Sequence, residues 1–545
     1  MPAPPGRHLP ALAAFGAPLL ALVALSWPLP LHLGSWHALT AFGDSHAWVL
    51  DLLGRHLARG EFPTQTAEAG YPVLRDLRFI GLAPLAAALP LRALFGTLAA
   101  ANLVQLLSLP TSGLAAYGLL RRWTDVDAWS AAALGAAWAL GPTLLSTYGL
   151  GEISNTQGWI LPGFLLVLDR TVYNLRWIPA LVAFCAVAVF SSPYFALALP
   201  LLVGAYALTL LRAKGLARPV ILVAAVALGL GPSQLYYGSH GSGDSQGVFR
   251  PAQQATAGVR LAFPPPVARP LSLVWDLEPV PRSPYEPMHQ SYLGLALVLA
   301  AGAAAVAGRG QRGRRAGLAL ALGGVALALG PYLAHGDDYV RVGGRLLALP
   351  VRLLEAVGYP TRKGGLYFRY AALAELGLVL VVAAGLAGRR RAPWLAWGLL
   401  VVHLADSVQG TGPLWPRPSE PVPDRTYLQT LGGEDGAVLE LPLQGPTDAA
   451  HGQGALLRAV FHGRPTTALP RDVRPRETPL PALVRAAVAG DTRARLSQAG
   501  FRYVMLPETL RGQLDADSAA LIPRLGAPVH EGAVTVWDLA QNAVR

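Results

Sequence analysis

Apolar residues run along this chain in long uninterrupted stretches, not at the alternating or 3.6-residue spacing of an amphipathic soluble protein. Ala, Leu, Val and Gly dominate eleven runs, near residues 9–33, 98–120, 128–146, 157–173, 177–192, 194–211, 219–236, 290–307, 316–334, 370–387 and 393–409. Most approach the roughly 20 residues that cross a hydrocarbon core, so the pattern predicts a polytopic membrane protein. The first run follows Arg7 and His8 and exceeds the apolar core of a cleavable signal peptide, which makes it a retained anchor. A further stretch, 79–96, is shorter and carries Pro84, Pro90 and Arg92, which break helical hydrogen bonding or resist burial in lipid. If it crossed, Arg121 and Arg122 would lie opposite the later basic clusters Arg212 to Arg218, Arg309 to Arg315 and Arg389 to Arg391. Read as a re-entrant or interfacial segment, it leaves every cluster on the side of a cytoplasmic N-terminus, as the positive-inside rule requires.

This parity puts the long polar connections outside: 34–78, 146–156, 237–289, 335–369 and the tail from 410. The tail changes character. A Pro-rich linker at 410–423 leads into alternating β-like runs (Ala437 to Leu443, Arg502 to Leu506, Ala533 to Leu539) and helix-like ones (Leu480 to Ala489, Thr492 to Ala499). The expected fold is an all-α membrane domain of about eleven transmembrane helices over 1–409, followed by a small extracytoplasmic α/β domain over 424–545. Composition agrees: of 545 residues 53% are hydrophobic and 14% charged, which excludes an ordinary soluble enzyme. The formal charge of +12, from 44 Lys and Arg against 32 Asp and Glu, sits in short loops where it orients the chain, and does not point to nucleic acid. Cys185 is the one cysteine, so no intramolecular disulfide forms.

Two outer acids stand out. Asp44 heads a segment, Gly43 to Arg59, whose helical projection gathers Trp48, Val49, Leu52, Leu53 and Leu57 on one face and Asp51, Arg55 and Arg59 on the other, the pattern of an interfacial helix. A carboxylate there meets both lipid-borne and water-borne molecules; the plain alternative is an N-cap that accepts backbone N–H groups. Glu152 is the one acid of the second outer loop and reads equally as a solvated side chain. Two outward carboxylates are what a transfer reaction needs, one to deprotonate an acceptor and one to orient a substrate or hold a metal. Arg75 and Arg78 beside the proline-broken stretch, and Arg362, Lys363 and Arg369 before the tenth run, are candidates for binding a phosphate, or else interfacial cations on lipid headgroups. His46 is a candidate to assist Asp44.

The order of apolar first span, Gly43 and Asp44 at the head of a loop helix, proline-broken segment and acidic second loop resembles the GT-C superfamily of polytopic glycosyltransferases. It is similar above all to large bacterial YfhO-like and protein O-mannosyltransferase-like members. Shared details are Ser291, Tyr292, Leu293 and Gly294 opening a span, Gly330 and Pro331 closing another, and Arg502, Tyr503, Val504, Met505 and Leu506 in the tail. The resemblance implies a polyprenyl-phosphate-linked sugar as donor, Asp44 as the catalytic acid of the first loop, Glu152 as that of the second, and Mg or Mn as a divalent cation between them. Both positions depart from the superfamily's paired-acid versions. It further implies a multi-pass protein of the bacterial inner membrane, in contact with membrane lipid and with no nucleic-acid partner. The expected function is glycosyl transfer at the extracytoplasmic face, with Asp44 as general base. A flippase of lipid-linked saccharide and a non-catalytic envelope-assembly protein are the alternatives; few polar groups lie in the apolar runs, against the midplane sites of transporters.

Overall fold

The computed structural model describes residues 8–40, 43–76, 81–210, 220, 222–231, 292–307, 311–330, 332, 334–335, 338–356, 367–411, 414–422, 425–431, 435–443, 449–468 and 479–540. The outer loop 237–289 lies outside the described residues, as do Arg78, Arg362 and Lys363. The chain divides into two compact units. One comprises Met1–Pro30, Ile80–Pro84 and Leu103–Pro418; the other comprises Leu31–Phe79, Leu85–Asn102 and Ser419–Arg545. The unit containing the tail also takes in most of the first outer loop, which the sequence pattern assigns to the membrane part.

The first unit is helical. In chain order its helices are α1 (Leu9–Leu25), the end of α3 (Leu82–Phe95) nearest the N-terminus, most of α4 (Thr97–Trp123), α5 (Ala128–Ala139), α6 (Pro142–Gly149), α7 (Ile160–Tyr173), α8 (Ile178–Ser191), α9 (Pro193–Leu210), α10 (Leu222–Gly231), α11 (Leu295–Ala307), α12 (Gln311–Ala328), α13 (Pro350–Ala356), α14 (Ala371–Leu386) and α15 (Ala392–Gly410). A helix occupies each apolar run, but among the described residues α4 is the one long and apolar enough to cross a membrane unaided. The pair α5 and α6 passes the same test only when its two bent halves are taken together. Proline shortens α1, which stops at Leu25, ahead of Pro28 and Pro30, where the sequence pattern extends the run to 33. Between α12 and α13 lie the two-residue strands β4 to β7 (Ala334–His335, Asp338–Tyr339, Arg341–Val342, Arg345–Leu346), paired as successive hairpins.

Where lipid is as apolar as leucine, helices associate through close backbone approach. Between α12 and α14 a Cβ added to Gly377 would lie 2.3 Å from Ala321 N, and one added to Gly324 would lie 2.4 Å from Ala374 N. Only glycine fits this seam. Leu134, Trp138, Phe164, Leu199, Leu376 and Leu380 fill the surrounding core. The 49° bend between α5 and α6 falls at Gly141 and Pro142, and Pro142 starts α6 at a position whose N–H has no helical partner in any case. Glu375 of α14 caps the new helix, accepting from Thr143 N at 3.1 Å and Thr143 Oγ1 at 2.6 Å. Glu375 thus satisfies donors that the break exposes.

The second unit is α/β. Its short strands β1 (Trp36–Ala38), β2 (Gln65–Thr66) and β3 (Arg75–Asp76) belong to the first outer loop, β2 and β3 pairing antiparallel. Helix α2 (Gly43–Ala58) packs against α16 (Ala449–His462). The tail contributes β8 (Ser419–Pro421), which pairs antiparallel with β1, and a three-stranded sheet in the order β11 (Val534–Asp538), β10 (Phe501–Pro507), β9 (Ala437–Glu440). β10 runs parallel to β9 and antiparallel to β11. Alternation sorts the two faces. Val504, Leu506, Leu439 and Trp537 meet Val484 of α17 (Leu480–Val488), Leu496 of α18 (Thr492–Gln498) and Leu521 of α19 (Ala516–Leu521), while Tyr503, Met505, Val438 and Val536 meet Tyr427 on the other side.

Candidate functional site

Asp44 lies in the first turn of α2 and is 3% exposed. It is not the cap of that helix: Thr40 Oγ1 accepts from Gly43 N at 3.0 Å, and the hydrogen bond that Asp44 Oδ1 accepts comes from His37 Nδ1 at 3.0 Å. Burial raises the Asp44 carboxyl above its ordinary value, outweighing the His37 hydrogen bond and the positive charges of His37 and Arg458. For His37 burial works downward, and the carboxylates of Asp44 and Glu420 overcome it, so the imidazole also sits above its ordinary value. A buried acid with raised proton affinity and a fixed donor on one oxygen is equipped to act as a base at neutral pH.

The remainder of α2 departs from an interfacial helix. Its polar face is covered: Asp51 accepts from Arg55 Nε at 2.8 Å, from Arg92 Nη2 at 2.9 Å and from Thr97 Oγ1 at 3.1 Å, and Arg55 Nη2 donates to Glu68 at 2.6 Å. Arg92, which argued against burial of the segment 79–96, finds its counterion here. Arg59 stays exposed. Arg458 of α16, which acts electrostatically on Asp44, is buried and paired with Glu440 through Nη2 at 2.7 Å.

Glu152, in the other unit, follows α6 and is 4% exposed rather than solvated. Its Oε1 accepts from Arg369 Nη2 at 2.6 Å, across 217 residues, and its Oε2 accepts from Asn155 Nδ2 at 2.9 Å; Ser192 Oγ donates to Asn155 Oδ1 at 2.6 Å. The Arg369 guanidinium stacks over Tyr194 at 4.5 Å. The structure therefore couples two of the residues singled out in the sequence, Glu152 and Arg369, to each other. His46 is buried in α2, two residues past Asp44, and the imidazole on Asp44 is that of His37. Arg75 opens β3 opposite Thr66. Sequence reasoning missed His37, Glu420, Arg458 and Tyr194, of which His37 alone left a signal, being a second histidine close ahead of Asp44.

A divalent cation at Asp44 and Glu152 finds no set of ligands to match. Both Glu152 oxygens are occupied by donors, Asp44 shares an oxygen with an N–H, and among the described residues no group of three His, Cys, Asp or Glu side chains converges.

Comparison of coordinates gives arabinofuranosyltransferase AftD from mycobacteria at a TM-score of 0.56 and 17% identity, covering 98% of this chain and 40% of that one. This chain shares its fold with that arabinofuranosyltransferase. This chain spans less than half the length of AftD. Weaker likenesses are the archaeal oligosaccharyltransferase AglB from Archaeoglobus fulgidus, solved with an inhibitory peptide and a dolichol-phosphate (TM-score 0.47, 11% identity, 92% of this chain and 69% of that one), and ArnT from Cupriavidus metallidurans (0.40, 15%, 96% and 97%). Those two add nothing to the assignment. No family model matches the sequence, and no curated protein matches it significantly.

Proposed function

We propose that this protein is a membrane glycosyltransferase that moves a sugar from a polyprenyl-phosphate-linked donor to an acceptor at the extracytoplasmic face of a bacterial inner membrane, with Asp44 as general base. The observation that carries the reading is the buried Asp44 carboxyl, raised in proton affinity and held by His37 in the loop that follows the first helix. In this reaction Asp44 removes the acceptor's hydroxyl proton, the acceptor oxygen bonds to the anomeric carbon, and the bond from that carbon to the phosphate oxygen breaks. Charge then collects on the departing phosphate, where guanidinium groups lower the barrier. Arg75 and Arg78, from the same outer loop as Asp44, are the candidates for that task. The fold shared with AftD supports the reading at the level of architecture.

The test uses the full chain in nanodiscs with synthetic short-chain polyprenyl-phosphate pentoses and hexoses, and measures release of polyprenyl phosphate together with formation of a new glycosidic bond. Wild type is expected to turn over, and Asp44→Asn to lose about 10²–10⁴ in kcat, the usual worth of a general base. Undiminished turnover by the variant, or movement of the donor across the bilayer without chemical change, overturns the proposal.

A further inference from the structure

The sequence between α15 and the tail sheet reads as a spacer, yet three of its residues form β8. The pairing of β8 with β1 sets Glu420 directly across from His37. His37 is 3% exposed. Its Nδ1 faces Asp44, and its Nε2 lies 3.3 Å from Glu420 Oε1, close enough for the charges to act but off line for a hydrogen bond. Nε2 is thus a buried polar nitrogen with no hydrogen-bond partner among the described residues, and such a group calls for a physical reason. The Glu420 side chain, by contrast, is half-exposed at 50%.

We propose that His37 and Glu420 are positioning residues for Asp44, so that the tail strand β8 completes the base supplied by the first outer loop. This rests on the reading of Asp44 given above. The reasoning concerns the imidazole's two nitrogens. A neutral ring has two tautomers, and only the one with hydrogen on Nδ1 can donate to Asp44 Oδ1. A carboxylate beside Nε2 favours the ring that carries both hydrogens, and that ring always presents Nδ1–H to Asp44. Oδ1 is then fixed and Oδ2 is left for the acceptor hydroxyl. The charged groups that bear on this pair are Asp44 from α2, Glu420 from β8 and Arg458 from α16. Arg458 is itself neutralised by Glu440, so Glu420 is the group whose removal changes the ring most.

Glu420→Gln tests this with little risk to folding, because the side chain is half in solvent. The variant is expected to keep its melting temperature and to shift the acid limb of the kcat/KM profile upward by about one pH unit, since Asp44 loses the protonated neighbour that favours its ionised form. Glu420→Asp should restore part of the shift. His37→Asn keeps an N–H near the position of Nδ1 but removes the charge; it should show a similar upward shift, and adding Glu420→Gln to it should give no further upward shift, since without the imidazole Glu420 acts on Asp44 only by direct repulsion, whose loss moves the limb slightly down. A wild-type pH profile in Glu420→Gln, or an equal shift in the His37→Asn background, overturns the proposal. A readout free of activity separates it from the transferase reading: ¹⁵N-histidine NMR at pH 6.5, with His37 assigned by the His37→Asn difference. Two ring protons in wild type and one in Glu420→Gln support the positioning role even if no sugar is transferred, and an unchanged ring refutes it even if sugar is transferred.

Discussion

Asp44 shares its hydrogen bond with an imidazole, whereas Glu152 is gripped by a guanidinium on one oxygen and an amide on the other. Both carboxylates are almost fully buried beside helix ends, and the sequence presents them as a matched pair. Their partners make them different devices. A guanidinium does not give up its proton in a protein, so the contact between Arg369 and Glu152 is a permanent electrostatic clasp. An imidazole does give up its proton near neutrality, and burial raises the proton affinity of Asp44, so the pair of Asp44 and His37 is one whose charge can change. The lesson is that an acid's role follows from what shares its buried volume, which residue type and loop position do not reveal.

This contrast can be broken first at the clasp. Glu152→Ala leaves Arg369 as an uncompensated buried charge and is expected to cost about 3–5 kcal/mol, read as a large fall in melting temperature in detergent; the double variant with Arg369→Met should recover most of it. Asp44→Asn should do the opposite, removing turnover while melting at or above the wild-type temperature, because a neutral amide relieves the burial cost of an ionised acid. If the two single variants melt alike, the distinction between clasp and base is wrong. A buried imidazole without an acid at hand sharpens the comparison. His462, at the end of α16, is pushed down to about 3 by burial and by the charges of Arg458, Arg464 and Arg55. Its proton affinity is lower in the folded chain than in the unfolded one, so its contribution is complete above about pH 6.5 and is lost as the pH falls from there toward 3. Melting curves across that window should slope less steeply in His462→Asn than in wild type. The smallest effect belongs to an open pair: Arg485 and Asp517, 2.9 Å apart with the Arg side chain 62% exposed, should yield about 0.3 kcal/mol on Asp517→Asn, and that little should vanish in high salt.

Much of the architecture can be read from the chain, because long apolar helices leave unbroken runs and half-buried strands leave an alternating trace. The apolar runs hold helices, and the alternation from Phe501 to Pro507 sorts its side chains to two faces. The site itself is far less legible. Asp44 and Glu152 were visible as acids near helix ends, but their partners come from remote positions: Arg369 reaches Glu152 across 217 residues. Glu420 hid inside a proline-rich segment that local rules assign to a linker, since three residues of edge pairing carry almost no sequence signal against four nearby prolines. The polar face of α2 misled for a related reason. Asp51, Arg55 and Arg59 announce a wetted surface, and only the arrival of Arg92 and Glu68 turns most of it inward.

The antiparallel pairing of β1 with β8 has a temporal side. A ribosome delivers His37 and Asp44 early, and every helix of the first unit from α4 to α15 must be made before Glu420 follows. Until β8 docks on β1, the acid at the head of α2 is present without Glu420 beside its imidazole partner, so a contact within the first outer loop waits on a segment made long after it.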